Sequence, residues 1–210
     1  MQGKLITLEG GDGAGKSTLM KNLHAALLQR GIRVKQTKAL EGASLAPSIR
    51  SILLHQKTPL NDQSELFLFL ADRAQHVQEV IVPALEEGFV VLCDRFNDST
   101  VAYQGVARGL DPDWVRSLCL FATKGKEPDL TFYLDLDPKV GLQRILHRSG
   151  SKDRIESEDL SFHLHIRKAF LLMAEQEPKR VKVLDASSSE DQVCLQAMEF
   201  IDALFFSCRQ

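Results

Sequence analysis

Short apolar blocks alternate along this chain with longer segments whose apolar residues recur every three or four positions. Lys4–Glu9 is an apolar run closed by Gly10 and Gly11, which predicts a buried strand. Lys16–Arg30 then carries Leu19, Leu23, Ala26 and Leu27 at helical spacing, with Gly31 as its stop. Arg33–Lys38 is a short candidate strand and Leu45–His55 a helix. Asp62–Glu87 reads as one long helix, capped by Asn61 or Asp62 and ended by Gly88. Pro83 is expected to bend or disturb it near its C-terminal end. Phe89–Asp94 is the clearest buried strand, followed by a helix over Asp111–Thr123 with Pro112 in its first turn. Leu130–Asp135 (strand), Pro138–His147 (helix), Glu158–Glu175 (helix), Val181–Leu184 (strand) and Ser189–Phe206 (amphipathic helix) complete the pattern.

Strands that alternate with helices predict an α/β fold: three layers, with a parallel sheet of about five strands covered by helices on both faces. Ligands on such sheets collect beyond the carboxyl ends of the strands. The 210 residues show no repeat, low-complexity tract or dividing linker, so one domain over residues 1–210 is expected. A net charge of −2 gives no bulk attraction to nucleic acid or an anionic membrane, so any phosphate must be met by local positive charge. No apolar run approaches the roughly 18–20 residues of a membrane span, and the N-terminal residues lack the apolar stretch of a signal peptide. Cys93, Cys119, Cys194 and Cys208 sit singly in apolar runs and read as free thiols, which predicts a reducing, cytoplasmic setting.

The chemistry begins at Gly10-Gly11-Asp12-Gly13-Ala14-Gly15-Lys16-Ser17, a full match to G-x-x-x-x-G-K-[ST] between a strand and a helix. Glycines let backbone N–H groups turn inward around phosphate oxygens, and the following helix adds its positive end. Lys16 supplies charge for the β- and γ-phosphates, and Ser17 offers a hydroxyl to Mg²⁺. Asp94, at the end of a deeply apolar strand, is a second candidate for holding Mg²⁺. An N-K-x-D guanine reader is lacking, which argues against a GTPase. Arg73, Arg95, Arg108, Arg144, Arg148 and Arg154 fall beyond strand ends, and transfer between two anionic substrates needs several such cations. Singly, each of these arginines also reads as an ordinary surface charge.

Three stretches carry a family resemblance. They are Leu8–Thr18 with its acidic Asp12, Asp94-Arg95-Phe96 followed by Ser99-Thr100-Val101-Ala102-Tyr103-Gln104-Gly105, and Asp153-Arg154-Ile155-Glu156 preceded by the basic run Arg144 to Arg148. Over nearly its whole length the chain resembles bacterial-type thymidylate kinases, members of the P-loop nucleoside monophosphate kinases. The resemblance implies transfer from Mg-ATP to dTMP, giving dTDP for dTTP synthesis, by a homodimer packed through helices. It implies ATP contacts from Gly10, Gly11, Asp12, Gly13, Ala14, Gly15, Lys16, Ser17 and Thr18. Asp12 would face the dTMP sugar, Arg95 the dTMP phosphate, and Phe69 the thymine ring, with Arg73 on the base or phosphate. Ser99, Thr100, Tyr103 and Gln104 would line the nucleoside pocket. From the residues alone Phe69 reads as core and Tyr103 equally as a half-buried packing residue. The polar, Gly150-containing segment 147–156 reads as a lid that excludes water. With no arginine among the variable P-loop positions, the lid is expected to supply the catalytic one, Arg148 first and Arg154 second.

The match departs at one loop. Where these kinases carry T-R-E-P-G-G-T, the chain has Thr37-Lys38-Ala39-Leu40-Glu41-Gly42-Ala43. Lysine keeps the charge of the arginine but loses its planar fork, so only Lys38 is carried over as a substrate contact. That change keeps a broader deoxynucleoside monophosphate kinase in view, and a non-catalytic nucleotide-binding regulator is the reading from another class.

Overall fold

The computed structural model describes residues 3–55, 59–149 and 153–206. Five strands, β1 (Lys4–Glu9), β2 (Val34–Lys38), β3 (Val90–Asp94), β4 (Leu130–Asp135) and β5 (Val181–Asp185), form one sheet in the order β2-β3-β1-β4-β5. Every neighbouring pair is parallel. Nine α-helical segments among the described residues cover it: α1 (Lys16–Gln29), α2 (Ala46–His55), α3 (Asp62–His76), α4 (Val82–Glu86), α5 (Asn97–Thr100), α6 (Pro112–Ala122), α7 (Pro138–Ser149), α8 (Leu160–Gln176) and α9 (Glu190–Phe206). The expected α/β layering is therefore present, with strand and helix limits moved by one or two residues.

Successive side chains of β1 point to opposite faces, and the core divides accordingly. Ile6 and Leu8 pack with Leu92 and Phe132 under α1 (Leu19, Leu23, Leu27) and α9 (Val193, Ala197, Ile201). On the other face Leu5, Val91 and Cys93 meet Val77, Ile81 and Ala84. Further along that face Tyr133 stacks on Phe170 of α8, ring centroids 4.8 Å apart. The register sets Leu8 opposite Asp94 and Glu9 opposite Tyr133, so β1, β3 and β4 end together and deliver their last residues to one edge.

The long helix predicted over 62–87 begins at the Asn61 cap, whose side chain accepts from Ser64 N–H at 2.7 Å. It changes winding before its end. Val77–Ile81 forms a π-helical turn, and Pro83 lies in the first turn of α4 just beyond it. Proline lacks the N–H that would bond back to Glu79, and the wider turn gives its ring room. A second π-helical stretch, Val101–Ala107, continues α5. The sequence pattern predicts no element there. Its start at Phe96 has no side-chain cap, and β-branched Val101 and Gly105 are poor helix formers. Among the described residues, no helix is long and apolar enough to cross a membrane.

Candidate active site

The loop between β1 and α1 is built on glycine. Gly10, Gly13 and Gly15 have φ of 142°, 76° and 97°, values that a side chain makes costly. Gly13 is also crowded: a Cβ there would lie 2.3 Å from the Gly141 carbonyl oxygen. Reciprocally, a Cβ on Gly141 would lie 2.4 Å from the Asp12 carbonyl oxygen, so the loop and α7 touch backbone to backbone. α1 starts at Lys16 with no side-chain cap from Gly15, leaving its first N–H groups for a ligand. Lys16 Nζ donates to the carbonyls of Gly10 (3.1 Å) and Gly11 (2.9 Å), folded over the loop where phosphates would lie. Burial and the nearby Arg95 charge hold the Lys16 pKa below its ordinary value.

Beyond β3 the chain turns sharply at Arg95, whose φ is 69°. Its N–H donates to Leu8 O at 3.0 Å, tying the turn to β1. The guanidinium pairs with Asp12 at 2.5 Å, donates to Ser99 Oγ at 3.2 Å and lies 4.9 Å from the centre of the Tyr103 ring. Burial raises the Asp12 pKa, but the Arg95 and Lys16 charges outweigh it and the net shift is downward. Behind the turn Glu9 is fully buried and accepts from Phe96 N–H at 2.7 Å and from the Ser99 hydroxyl. Burial, followed by the Asp98 charge, pushes Glu9 up to about 7.

Across the cleft α3 presents Glu65, Phe69 and Arg73, four residues apart and hence on one face. Arg73 donates to Arg95 O at 3.0 Å and stacks on Phe96 at 4.6 Å. Gln104 Nε2 donates to Glu65 at 2.9 Å, and Arg154 pairs with the same carboxylate at 2.5 Å. The β2–α2 loop closes the rim. Lys38 and Arg50 both pair with Glu41, at 2.9 and 3.2 Å. Leu40 takes a φ of 61°, and its N–H donates to Asp72 at 2.9 Å.

These walls enclose a cavity of about 550 Å³. Of the residues singled out from sequence, Asp12 through Thr18, Lys38, Phe69, Arg73, Asp94, Arg95, Ser99, Thr100, Tyr103 and Gln104 line it. Phe69 also packs against the apolar clusters beside α2 and α6, so it belongs to the core as well as to the cavity wall. Gly10 and Gly11 are not in the wall and act through their carbonyls on Lys16. Arg154 is turned from the cavity toward Glu65, while its neighbours Asp153, Ile155 and Glu156 face in. The side chain of Arg148 and residues 150–152 of the expected lid lie outside the described residues, as does Cys208. Asp94 Oδ1 is buried with no hydrogen-bond partner, at the same cavity as Ser17, and this oxygen pair fits a hard divalent cation.

Sequence reasoning passed over Glu9, Arg50 and Glu65. Glu65 had a visible signal, since it continues the Phe69–Arg73 spacing one step toward the helix start. Glu9 had none, being one polar residue after an apolar run.

The family model described as Thymidylate kinase matches residues 8–196. The chain is 44% identical over 209 residues to a thymidylate kinase of Protochlamydia amoebophila, covering 96% of this chain and 93% of that protein. It is 49% identical over 195 residues to a thymidylate kinase of Solidesulfovibrio magneticus, covering 90% and 93%. Among solved structures, thymidylate kinase from Ehrlichia chaffeensis superposes with a TM-score of 0.76 at 28% identity, covering 96% of this chain and 99% of that one.

Proposed function

The chain belongs to the thymidylate kinase family, and from that premise we propose how its own residues carry out the reaction. The protein is an ATP-dependent nucleoside monophosphate kinase that phosphorylates dTMP to dTDP. The carrying observation is that the glycine cradle and the Arg95–Gln104 wall open onto one cavity, so donor and acceptor phosphates meet without crossing solvent.

The P-loop amides and the α1 N-terminus hold the β- and γ-phosphates of ATP. Lys16 exchanges its carbonyl contacts for phosphate oxygens and follows the charge as the γ-phosphoryl group moves. Arg95, already fixed by Asp12 and Ser99, holds the dTMP phosphate. One oxygen of that phosphate attacks, a new P–O bond forms, and the bond to the ADP oxygen breaks. Asp12 turns its second carboxylate oxygen to the sugar, and Phe69, Arg73, Thr100, Tyr103 and Gln104 enclose the base. Ser17 and Asp94 would hold Mg²⁺, which would supply positive charge against the phosphates. Arg148 remains the lid arginine of choice for the transition state. Arg154 is better used as an anchor, given its pairing with Glu65.

The working unit is a homodimer in a reducing, cytoplasmic setting. Phe67 of α3 and Trp114 and Phe121 of α6 are 54%, 46% and 84% exposed, on two helices that pack together, and burying such large apolar groups favours a second copy. Cys93 and Cys119 are buried free thiols, which suits that compartment.

The test is ADP release from Mg-ATP with dTMP, dUMP, dCMP, UMP and AMP offered in parallel. Preference for dTMP is the expected outcome. Activity spread over several monophosphates would mean that the altered Thr37–Ala43 loop has relaxed selection, and no release with any of them would remove the kinase reading.

A further inference from the structure

Glu65 holds no place in the phosphate machinery, yet its side chain is only 2% exposed and four donor nitrogens from three residues converge on it. Oε1 accepts from Gln104 Nε2 at 2.9 Å and Arg108 Nε at 3.2 Å, and Oε2 from Arg154 at 2.5 Å and a second Arg108 nitrogen at 3.3 Å. Burial raises the Glu65 pKa, but the hydrogen bonds from Gln104, Arg154 and Arg108 outweigh it, so the group stays a carboxylate.

An ionised carboxylate only accepts hydrogen bonds. The end of the Gln104 carboxamide that faces Glu65 must therefore be its NH₂. Gln104 also lines the cavity, and its carbonyl oxygen is the end left for a ligand. An acceptor at that place suits thymine or uracil, whose N3 carries a hydrogen. It opposes cytosine, whose N3 carries a lone pair.

The other arm of Glu65 reaches the lid. Asp153 Oδ1 accepts from the N–H groups of Ile155 and Glu156 at 2.9 and 2.8 Å, a tight turn that has Arg154 as its second residue. Arg154 points out of this turn to Glu65 and donates through Nε to Leu53 O at 2.8 Å, while Ile155 and Glu156 face the cavity.

We infer that Glu65 is a positioning residue for base selection: its carboxylate locks the Gln104 amide with the carbonyl toward the pocket and, through Arg154, seats the lid turn on the same anchor. This rests on the dTMP reading above. The lid turn and the base reader then share one buried charge, so a base that displaces Gln104 also loosens the lid.

The experiment compares kcat/KM for dTMP and dCMP in wild type, Glu65→Gln, Gln104→Ala and the double variant. Glu65→Gln offers its own NH₂ and lets the Gln104 amide turn over. The dTMP:dCMP ratio is expected to fall at least about tenfold and KM for dTMP to rise about tenfold, with KM for ATP within about twofold. In the Gln104→Ala background the same change is expected to leave the ratio where Gln104→Ala alone puts it, because Glu65 then has no amide to orient. An unchanged ratio in the single variant, or an equal further fall in both backgrounds, overturns the inference while leaving the kinase reading intact. Wild type inactive on dTMP removes that reading and this inference together. If Glu65→Gln does not fold, the side-chain amide of Gln104 in wild type, assigned by NMR through Gln104→Ala, decides. One slowly exchanging, downfield proton supports the lock, and a fast-exchanging pair overturns it.

Discussion

Leu40 occupies the left-handed region at φ 61° and gives its N–H to Asp72, at the loop position where the family resemblance leads one to expect a proline. Proline can neither adopt that angle nor donate that bond. Leu40→Pro is therefore expected to destabilise the fold by about 2–4 kcal/mol, since it also strands a buried carboxylate oxygen. Urea denaturation checks this, and an unchanged midpoint would show that the loop refolds freely around proline. Glu9 allows a sharper test by pH. Its folded pKa of about 7 exceeds the ordinary 4.5 because burial and the Asp98 charge disfavour ionisation, against the pull of Arg95 and the bonds from Ser99 and Phe96. The folded state thus binds more protons than the unfolded chain between pH 4.5 and 7, and the stability Glu9 contributes falls as pH rises through that window. Glu9→Gln removes the titration. The melting temperature of wild type minus that of the variant is expected to decline from pH 4.5 to 7 and then level off. A flat difference would mean that Glu9 is ionised throughout.

Among elements, the contact between the P-loop and α7 bears directly on function, because the Gly141 carbonyl oxygen forbids a side chain at Gly13 and the Asp12 carbonyl oxygen forbids one at Gly141. Gly141→Ala places a methyl group 2.4 Å from the Asp12 carbonyl oxygen, and backbone on both sides cannot yield cheaply. KM for ATP is expected to rise about tenfold and kcat to fall with it, both read from steady-state rates at saturating dTMP. Kinetics like wild type would show that the loop and α7 move apart freely. In sequence Gly141 is a mere weak spot in a helix, whereas the cradle from Gly10 to Ser17 is legible because eight consecutive residues carry it. The Glu9–Ser99 bond is illegible for the opposite reason, joining residues 90 positions apart. The stretch Asn97–Ala107 gives no legible element, although Ser99, Thr100, Tyr103 and Gln104 within it are legible as candidate site residues. Its π-helical winding follows neither of the two periods that pattern reading uses. The disturbance at Pro83 was foreseen, because proline's missing donor is local chemistry.

At the scale of the whole molecule, the layered α/β plan followed from alternation alone, while the strand order β2-β3-β1-β4-β5 is a matter of which crossovers the core accepts. The exposed face of α3 and α6 is where a second copy would sit. Phe121→Glu is expected to halve the mass seen by light scattering while leaving the helical circular dichroism unchanged. A wild type that is already monomeric would remove the homodimer. The position of β1 has a consequence for how the protein is made. β1 is flanked by β3 and β4, both later in the chain, so the strand that carries the phosphate loop is made before either neighbour and lacks β4 until residues 130–135 exist. At cellular synthesis rates the loop waits roughly ten seconds on the ribosome. A nascent chain stalled before β4 should therefore bind no nucleotide, although its whole phosphate-binding signature has already been translated.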